Sequence, residues 1–435
     1  MYRYIVYFLW AGIITSCSSN LAAAQTQPCL MEVNAGEIVV GTATIAITGA
    51  TIIDGNGGKP VDSGCVLIQG NKIAAVGKVG EVSVPTDAVI VNATGLTLLP
   101  GFIDAHFHLD NQHGLPALFL RHGVTAVRDP GAWMEAYDGE RQPGSSVPRL
   151  FLSGPHLDMP PPAYPHDAYL VRDSIEVVHA VNRQIDEGAS SVKVYFRMPP
   201  HLIRVACNTA HQRGVPVTAH LEITEAKEAI EAGLDGIEHI TSFGLTLTPR
   251  RDAEKYRQAV WLDNNFRKDG RYRIWKDIHA VDPNTDSLSS YLVKKGTYVC
   301  PTLGPFEYRL ENGHADTVKL MGFHTMKAVT AKFSQNGVRM VLGSHSMIPY
   351  AALGWAYQRE MELWVESGID PSDVIVAATM QNARYFKVDD RLGSIEVGKL
   401  ADLVLIEGNP LQNISATRNI KRVMLNGAWI NSNTR

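Results

Sequence analysis

Two histidines one residue apart, His106 and His108, close the apolar run Gly101-Phe102-Ile103-Asp104-Ala105-His106-Phe107-His108. Alternate side chains of a strand share a face, so the two imidazoles converge, and converging ring nitrogens suit a metal ion. A lone His-x-His is more often a pair of surface histidines, but four later positions repeat the pattern. Lys193 stands inside the β-branched and aromatic run Ser190-Ser191-Val192-Lys193-Val194-Tyr195-Phe196, and a lysine is rarely buried unless it is paired or modified. The run Val215-Pro216-Val217-Thr218-Ala219-His220 ends in a histidine, Gly236-Ile237-Glu238-His239-Ile240 carries another, and Arg339-Met340-Val341-Leu342-Gly343-Ser344-His345 stops at a third. Each alone reads as a satisfied core or loop residue. Five apolar runs delivering His, Lys, His, His and His read together as one metal site.

The elements that must position these residues follow from the punctuation of the chain. Residues 37–100 carry short alternating runs at 43–47, 65–69, 72–76 and 88–91, separated by Gly, Asn and Pro, which is a sandwich pattern. From Gly101 the rhythm changes to eight strand candidates, at 102–105, 125–128, 149–153, 192–196, 215–219, 236–240, 297–302 and 340–343, with helical patterns such as 173–187, 202–213 and 224–232 between them. Strand and helix alternating in this way predict an α/β fold, a (β/α)8 TIM barrel whose site forms at the C-terminal ends of the strands. Every proposed ligand stands at or near such an end.

The chain resembles the amidohydrolase superfamily, in the branch of imidazolonepropionase-like and Xaa-dipeptidase-like hydrolases. The resemblance rests on Pro100-Gly101-Phe102-Ile103-Asp104-Ala105-His106-Phe107-His108 and on Gly393-Ser394-Ile395-Glu396-Val397-Gly398-Lys399-Leu400-Ala401-Asp402-Leu403-Val404, and it covers nearly the whole chain after its leader. It implies a barrel at residues 101–389 beside a small β-sandwich domain built from both chain ends, residues 25–100 and 390–435. It also implies two divalent ions, zinc foremost, held by His106, His108, His220, His239 and a carbamylated Lys193. A ligand from the eighth strand completes the set at His345. There the resemblance calls for an aspartate, in Gly-Thr-Asp or Gly-Ser-Asp, and this chain has Gly343-Ser344-His345-Ser346.

In the superfamily that aspartate binds a metal, takes the proton from the attacking water and passes it to the leaving group. Histidine can bind zinc through a neutral ring nitrogen and carry a proton near pH 6.5, roughly its unperturbed pKa, but a ring with one nitrogen on a metal has only the other for protons. The reading is therefore an amidohydrolase acting on a small molecule with an amide bond: an N-acyl amino acid, a dipeptide or a cyclic amide. Two alternatives stand beside it, a catalytically weak or silent binding protein of the same fold, and a lactonase or esterase.

Around these residues, Asp104 is expected to orient a ligand histidine by hydrogen bond, and Arg128 with Asp129 to form an ion pair at the barrel mouth. Tyr195, on the face of Lys193, could donate to a substrate oxyanion or simply pack. The proline-rich loop 154–166 offers His156 and His166, read as solvated. The long connection 241–296, with Tyr256, Trp261, Phe266 and Trp275, reads equally as a pocket wall or as a solvated elaboration.

With 45% hydrophobic residues and a net charge of −4 over 435 residues, the chain can bury a large core, and it has no charge run that would suit nucleic acid. A small-molecule partner is the default, and homo-oligomer formation stays open. Residues 1–24 read as an export signal for a periplasmic or secreted protein: Arg3, then an apolar run at 5–14 too short for a stable bilayer span. Ala22-Ala23-Ala24 resembles a signal-peptidase site, whereas Cys17 with its neighbours resembles a lipoprotein box, whose anchor would be the one membrane contact. Of the remaining cysteines, Cys29 and Cys65 form a plausible disulfide in an oxidising compartment. Cys207 and Cys300 read as small buried hydrophobes.

Overall fold

The computed structural model describes residues 30–310 and 316–431. Residues 1–24, read above as an export signal, and Cys29 lie outside the described residues, and so does the Cys29–Cys65 pairing; among the described residues Cys65, Cys207 and Cys300 are buried and form no disulfide. No helix among the described residues is long and apolar enough to cross a membrane.

The sandwich is laid down first. Strand β1 (Thr44–Ile52) pairs antiparallel with β2 (Val61–Gln69), which pairs with β3 (Lys72–Lys78). The other edge of β1 serves two partners in turn. Its first half runs parallel to β4 (Val89–Asn92) and its last residues, Thr51 and Ile52, parallel to β5 (Leu96–Pro100). The apolar positions of these runs, with Ile45, Ile47, Val66, Ile68 and Leu98 among them, share one core.

Gly101 joins β5 directly to the first barrel strand, β6 (Phe102–Asp104). The chain continues through β7 (Val124–Asp129) and β8 (Arg149–Leu152) to a parallel pair of short strands, β9 (His156–Asp158) and β10 (Ala168–Leu170). The remaining barrel strands are β11 (Val192–Val194), β12 (Val217–His220), β13 (Gly236–Glu238), β14 (Tyr298–Cys300) and β15 (Arg339–Met340). Parallel pairing runs β6-β7-β8 and β11-β12-β13-β14-β15. Two backbone bonds stitch these arcs into a ring. Ser190 N donates to Leu152 O at 2.7 Å, and Ala105 N donates to Leu342 O at 3.0 Å. All eight strands anticipated from the alternation are present, as a TIM barrel requires.

Helices α1 (Leu115–Arg121), α2 (Ser174–Asp186), α3 (Pro200–Gln212) and α4 (Ala226–Glu231) cover the barrel in the connections after β6, β10, β11 and β12. The α2 helix shows the local logic. Asp173 caps it by accepting from Ile175 N and Glu176 N, and Val177, Ala180 and Val181 recur at helical spacing on its buried face. After β13 the chain makes an excursion of four helices: α5 (Gly244–Leu247), α6 (Arg250–Leu262), α7 (Arg267–Trp275) and α8 (Pro283–Lys295). The C-terminal strand β16 (Leu403–Glu407) returns to the sandwich, antiparallel to β5 with Leu403 opposite Pro100, so the sheet draws on both chain ends. This closing strand therefore buttresses the one that feeds the first ligand run.

Candidate metal centre

The first barrel strand ends at Asp104, and the chain then carries His106 and His108 over the mouth of the barrel. Their Nε2 atoms lie 3.0 Å apart. On its other side the His106 ring offers Nδ1 to Glu238 Oε2 at 2.7 Å, while His108 Nδ1 stands 3.4 Å from Asp129 Oδ1. A carboxylate at Nδ1 holds the proton there and leaves Nε2 as a lone pair. The two histidines therefore aim lone pairs at one point, an arrangement that is repulsive without a cation between them.

His220 ends β12 and gives Nε2 to Glu222 Oε1 at 3.1 Å, leaving Nδ1 free. His239, just past β13, adopts a left-handed backbone (φ 65°) and is oriented by Thr302, whose Oγ1 lies 2.6 Å from its Nδ1. His345 follows β15, likewise left-handed (φ 61°), and its N–H donates to His106 O at 2.7 Å. Its ring stacks on His106 with centroids 5.3 Å apart, and its buried Nδ1 has no hydrogen-bond partner among the described residues. His106, His239 and His345 each offer a ligand atom within 4.8 Å of the others. Burial holds the rings of His106, His239 and His345 well below the usual imidazole pKa and lowers His220 to about 4. They are neutral, as metal ligands must be.

Lys193, in the middle of β11, is 3% exposed and has no acidic partner within salt-bridge distance among the described residues. Burial lowers its pKa to about 8. Its ammonium stands 5.7 Å from the centroid of the Tyr195 ring, which packs against His156 at 4.2 Å and His220 at 4.8 Å. His108, Lys193, Tyr195, His220, His239 and His345 all line one cavity of about 790 Å³. The donor set of inward lone pairs, neutral rings and one unpaired buried amine fits a divalent cation, with the amine available for carbamylation.

Three expectations are corrected. Arg128 does not pair with Asp129. Its guanidinium reaches across the barrel to Glu238 Oε1 at 2.9 Å from both terminal nitrogens, because both groups are buried in the barrel and a buried charge needs its counter-charge. Asp129 instead accepts from Leu109 N, Gly131 N and Tyr137 Oη and faces His108. Asp104 orients no imidazole. It accepts the backbone N–H groups of His106 and Ser344 and the Ser344 hydroxyl, fastening the two ligand loops together. His156 is buried on β9 and not solvated, whereas His166 is exposed at the rim. The long connection proves to be a cavity wall, through Arg267, Lys268, Arg271 and Tyr272 of α7.

Sequence reasoning missed Glu238 and Glu222 as carboxylates that orient His106 and His220. The signal for Glu238 was an acid inside an apolar strand, immediately before a candidate ligand. Gly343 matters by its absence of a side chain: a Cβ there would stand 2.5 Å from His106 Cβ and 2.6 Å from Cys300 Sγ. Only glycine lets the eighth strand pass this close to the first.

The profile of the Amidohydrolase family matches residues 97–430. An adenine deaminase of Staphylothermus marinus is 23% identical over 389 residues, covering 83% of this chain and 54% of the relative. The chain thus spans about half the length of the curated relatives it matches across most of its own length. A solved putative prolidase from Bifidobacterium longum superposes with a TM-score of 0.70 at 24% identity, covering 90% of this chain and 95% of that one. A Xaa-Pro dipeptidase with methionine bound in its active site superposes with a TM-score of 0.69 at 21% identity, covering 89% of this chain and all of that one. With its profile match running from the last sandwich strand before the barrel to the end of the fold, the chain belongs to the amidohydrolase family.

Proposed function

We propose that the chain is a metal-dependent hydrolase that cleaves an amide bond of a small molecule: an N-acyl amino acid, a dipeptide or a cyclic amide. One observation carries the reading. Four histidines and an unpaired buried lysine, delivered by different barrel strands, converge with His106 on one cavity mouth. The deaminase, prolidase and dipeptidase among its relatives are named for reactions at carbon–nitrogen bonds, which supports the amide over the ester.

In this reading His106, His108, His220, His239 and Lys193 as a carbamate would hold two divalent ions, zinc foremost, and His345 would serve either as a further ligand or as the base. Bound there, a metal would supply Lewis-acid chemistry, lowering the pKa of a water to about 7 and polarising the scissile carbonyl. The chain's own groups do the rest. Glu238 and Glu222 fix which nitrogen of His106 and His220 faces the ions. As the base, His345 would take the place of the family's aspartate: with its ring off the ions, the unprotonated nitrogen of the neutral imidazole would accept the proton of the attacking water and return it to the leaving amine. Tyr195, held against His156 and His220, donates to the oxygen that gains charge as the carbonyl is attacked. The first 24 residues support export of the chain.

The test is metal content per chain together with turnover of a panel of N-acyl amino acids, dipeptides, cyclic amides and lactones. Metal-dependent hydrolysis of amides is the expected result. Hydrolysis of lactones alone would put an esterase in its place, and a metal-loaded protein inert on the whole panel would replace the enzyme by a binding protein.

A further inference from the structure

The wall of the cavity built by α7 carries a charge that the hydrolytic site does not use. Arg267 is 2% exposed yet lines the cavity. Among the described residues its guanidinium makes one hydrogen bond, from Nη1 to the carbonyl of Asn264, and its buried Nε has no partner. Among the described residues no carboxylate lies within salt-bridge distance of it. The rings of Tyr164 and Phe196 flank it, with centroids 5.2 and 5.5 Å from Cζ. A guanidinium so enclosed can neither turn to solvent nor neutralise itself, because arginine stays protonated.

The contrast with its neighbour one turn along is informative. Arg271 Nε donates to Arg267 O, and its Nη2 stands 3.2 Å from Glu222 Oε1. Glu222 in turn accepts from His220 and from the Tyr256 hydroxyl. Arg271 is therefore consumed by the scaffold of a candidate ligand, and Arg267 is not. The same cavity is also lined by Asp110, Asp129 and Asp167. An anionic group entering it is attracted to the arginine and repelled by these acids.

We infer that Arg267 is the anchor for a carboxylate of the substrate, so that the protein selects amides whose amine-side product is an amino acid. This rests on the hydrolase reading above and narrows it to N-acyl amino acids and dipeptides, leaving out neutral cyclic amides. A carboxylate entering the cavity meets the guanidinium where it lines the wall, and can form the charge-assisted, paired bonds that arginine makes best. The flanking rings keep the guanidinium plane fixed and water out, which strengthens the pair. A substrate held there by its carboxylate would lie in the same cavity as His108, His220, His239 and His345.

The experiment pairs each N-acyl amino acid and dipeptide of the panel with its C-terminal amide, using the metal-loaded full chain. Wild-type protein is expected to favour the free carboxylates in kcat/KM by about tenfold or more, the scale of one charged hydrogen-bonded pair. Arg267→Met should erase that preference by raising KM for the acids while leaving the C-terminal amides and the metal content unchanged. Arg267→Lys, which keeps the charge but loses the fork, should fall between and guards against a variant that fails to fold. If no amide is turned over, calorimetry with free L-amino acids and their amides on the same metal-loaded protein decides. Binding of the acids that is lost in Arg267→Met sustains the anchor without the chemistry. Equal handling of acids and amides by wild type, in turnover or in binding, overturns the inference while leaving the hydrolase reading untouched.

Discussion

Glu238 holds His106 and Arg128 at once: Oε2 lies 2.7 Å from the His106 ring and Oε1 2.9 Å from both terminal nitrogens of Arg128, all fully buried in the barrel. The carboxylate thus compensates a buried cation and fixes the tautomer of a candidate ligand with the same charge. Arg128 is further held by Ala105 O, Ser191 Oγ and Thr218 Oγ1, so the network ties the first, second, fourth, fifth and sixth barrel strands.

Glu238→Gln should cost both roles. Losing the charge leaves Arg128 buried without its counter-ion, a loss on the order of 3–5 kcal/mol, and the one remaining amide oxygen cannot serve both Arg128 and His106 Nδ1 as the two carboxylate oxygens do. Thermal unfolding should shift down, and metal affinity should drop about 10- to 100-fold. Unchanged metal affinity in a folded variant would show that the contact with His106 is incidental.

Lys193 gives a prediction about loading. A bare ammonium repels cations, whereas the carbamate that an unprotonated amine forms with CO2 attracts them, and burial already lowers this amine's pKa to about 8. Metal recovery by the stripped protein should be higher in bicarbonate than in CO2-free buffer, and Lys193→Met should abolish the difference. Equal recovery in both buffers counts against the carbamate.

His345 is expected to be a working replacement for the family's aspartate. Its loop is built with care: Ser346 Oγ accepts the N–H of His108 at 2.6 Å, and Ser346 N donates to Ser344 Oγ at 2.9 Å. His345→Ala should lower turnover at least about tenfold, the low end of what losing a ligand or its support costs, and His345→Asp should retain or raise it. Activity that appears only in the Asp variant would mark the histidine as a lesion.

At the periphery, His211 Nε2 meets Asp235 Oδ2 at 2.7 Å, and this hydrogen bond raises the His211 pKa above its ordinary 6.5. The folded state binds the proton more tightly than the unfolded chain, so the pair stabilises fully below pH 6.5 and the gain fades as pH rises through the raised pKa. The pair is partly exposed, so screening keeps the effect under about 1 kcal/mol. His211→Gln should flatten the change in melting temperature above pH 6.5. A pH profile identical to wild type would refute the coupling.

The barrel was legible because its strands are short apolar runs ending in polar residues, and His106 and His108 converge as their spacing anticipated although both lie just past the end of the strand at Asp104. Partner choice was not legible. Arg128 stands next to Asp129 in sequence but bonds to Glu238, 110 residues away, because neighbouring residues of a strand point to opposite faces. His156 looked solvated in a proline-rich loop, and it is buried because that loop folds into an extra pair of parallel strands against the barrel. The mixed character of 241–296, charged yet aromatic, likewise left open whether it packs or lines. Arg267 does both, buried between rings and facing the cavity.

The most direct measurement is metal content per chain of the wild type and of the His106→Ala/His108→Ala double variant, after loading in bicarbonate and with folding checked by circular dichroism. The account predicts up to two equivalents in the wild type and none retained by the folded double variant. The same metal content in both would contradict it.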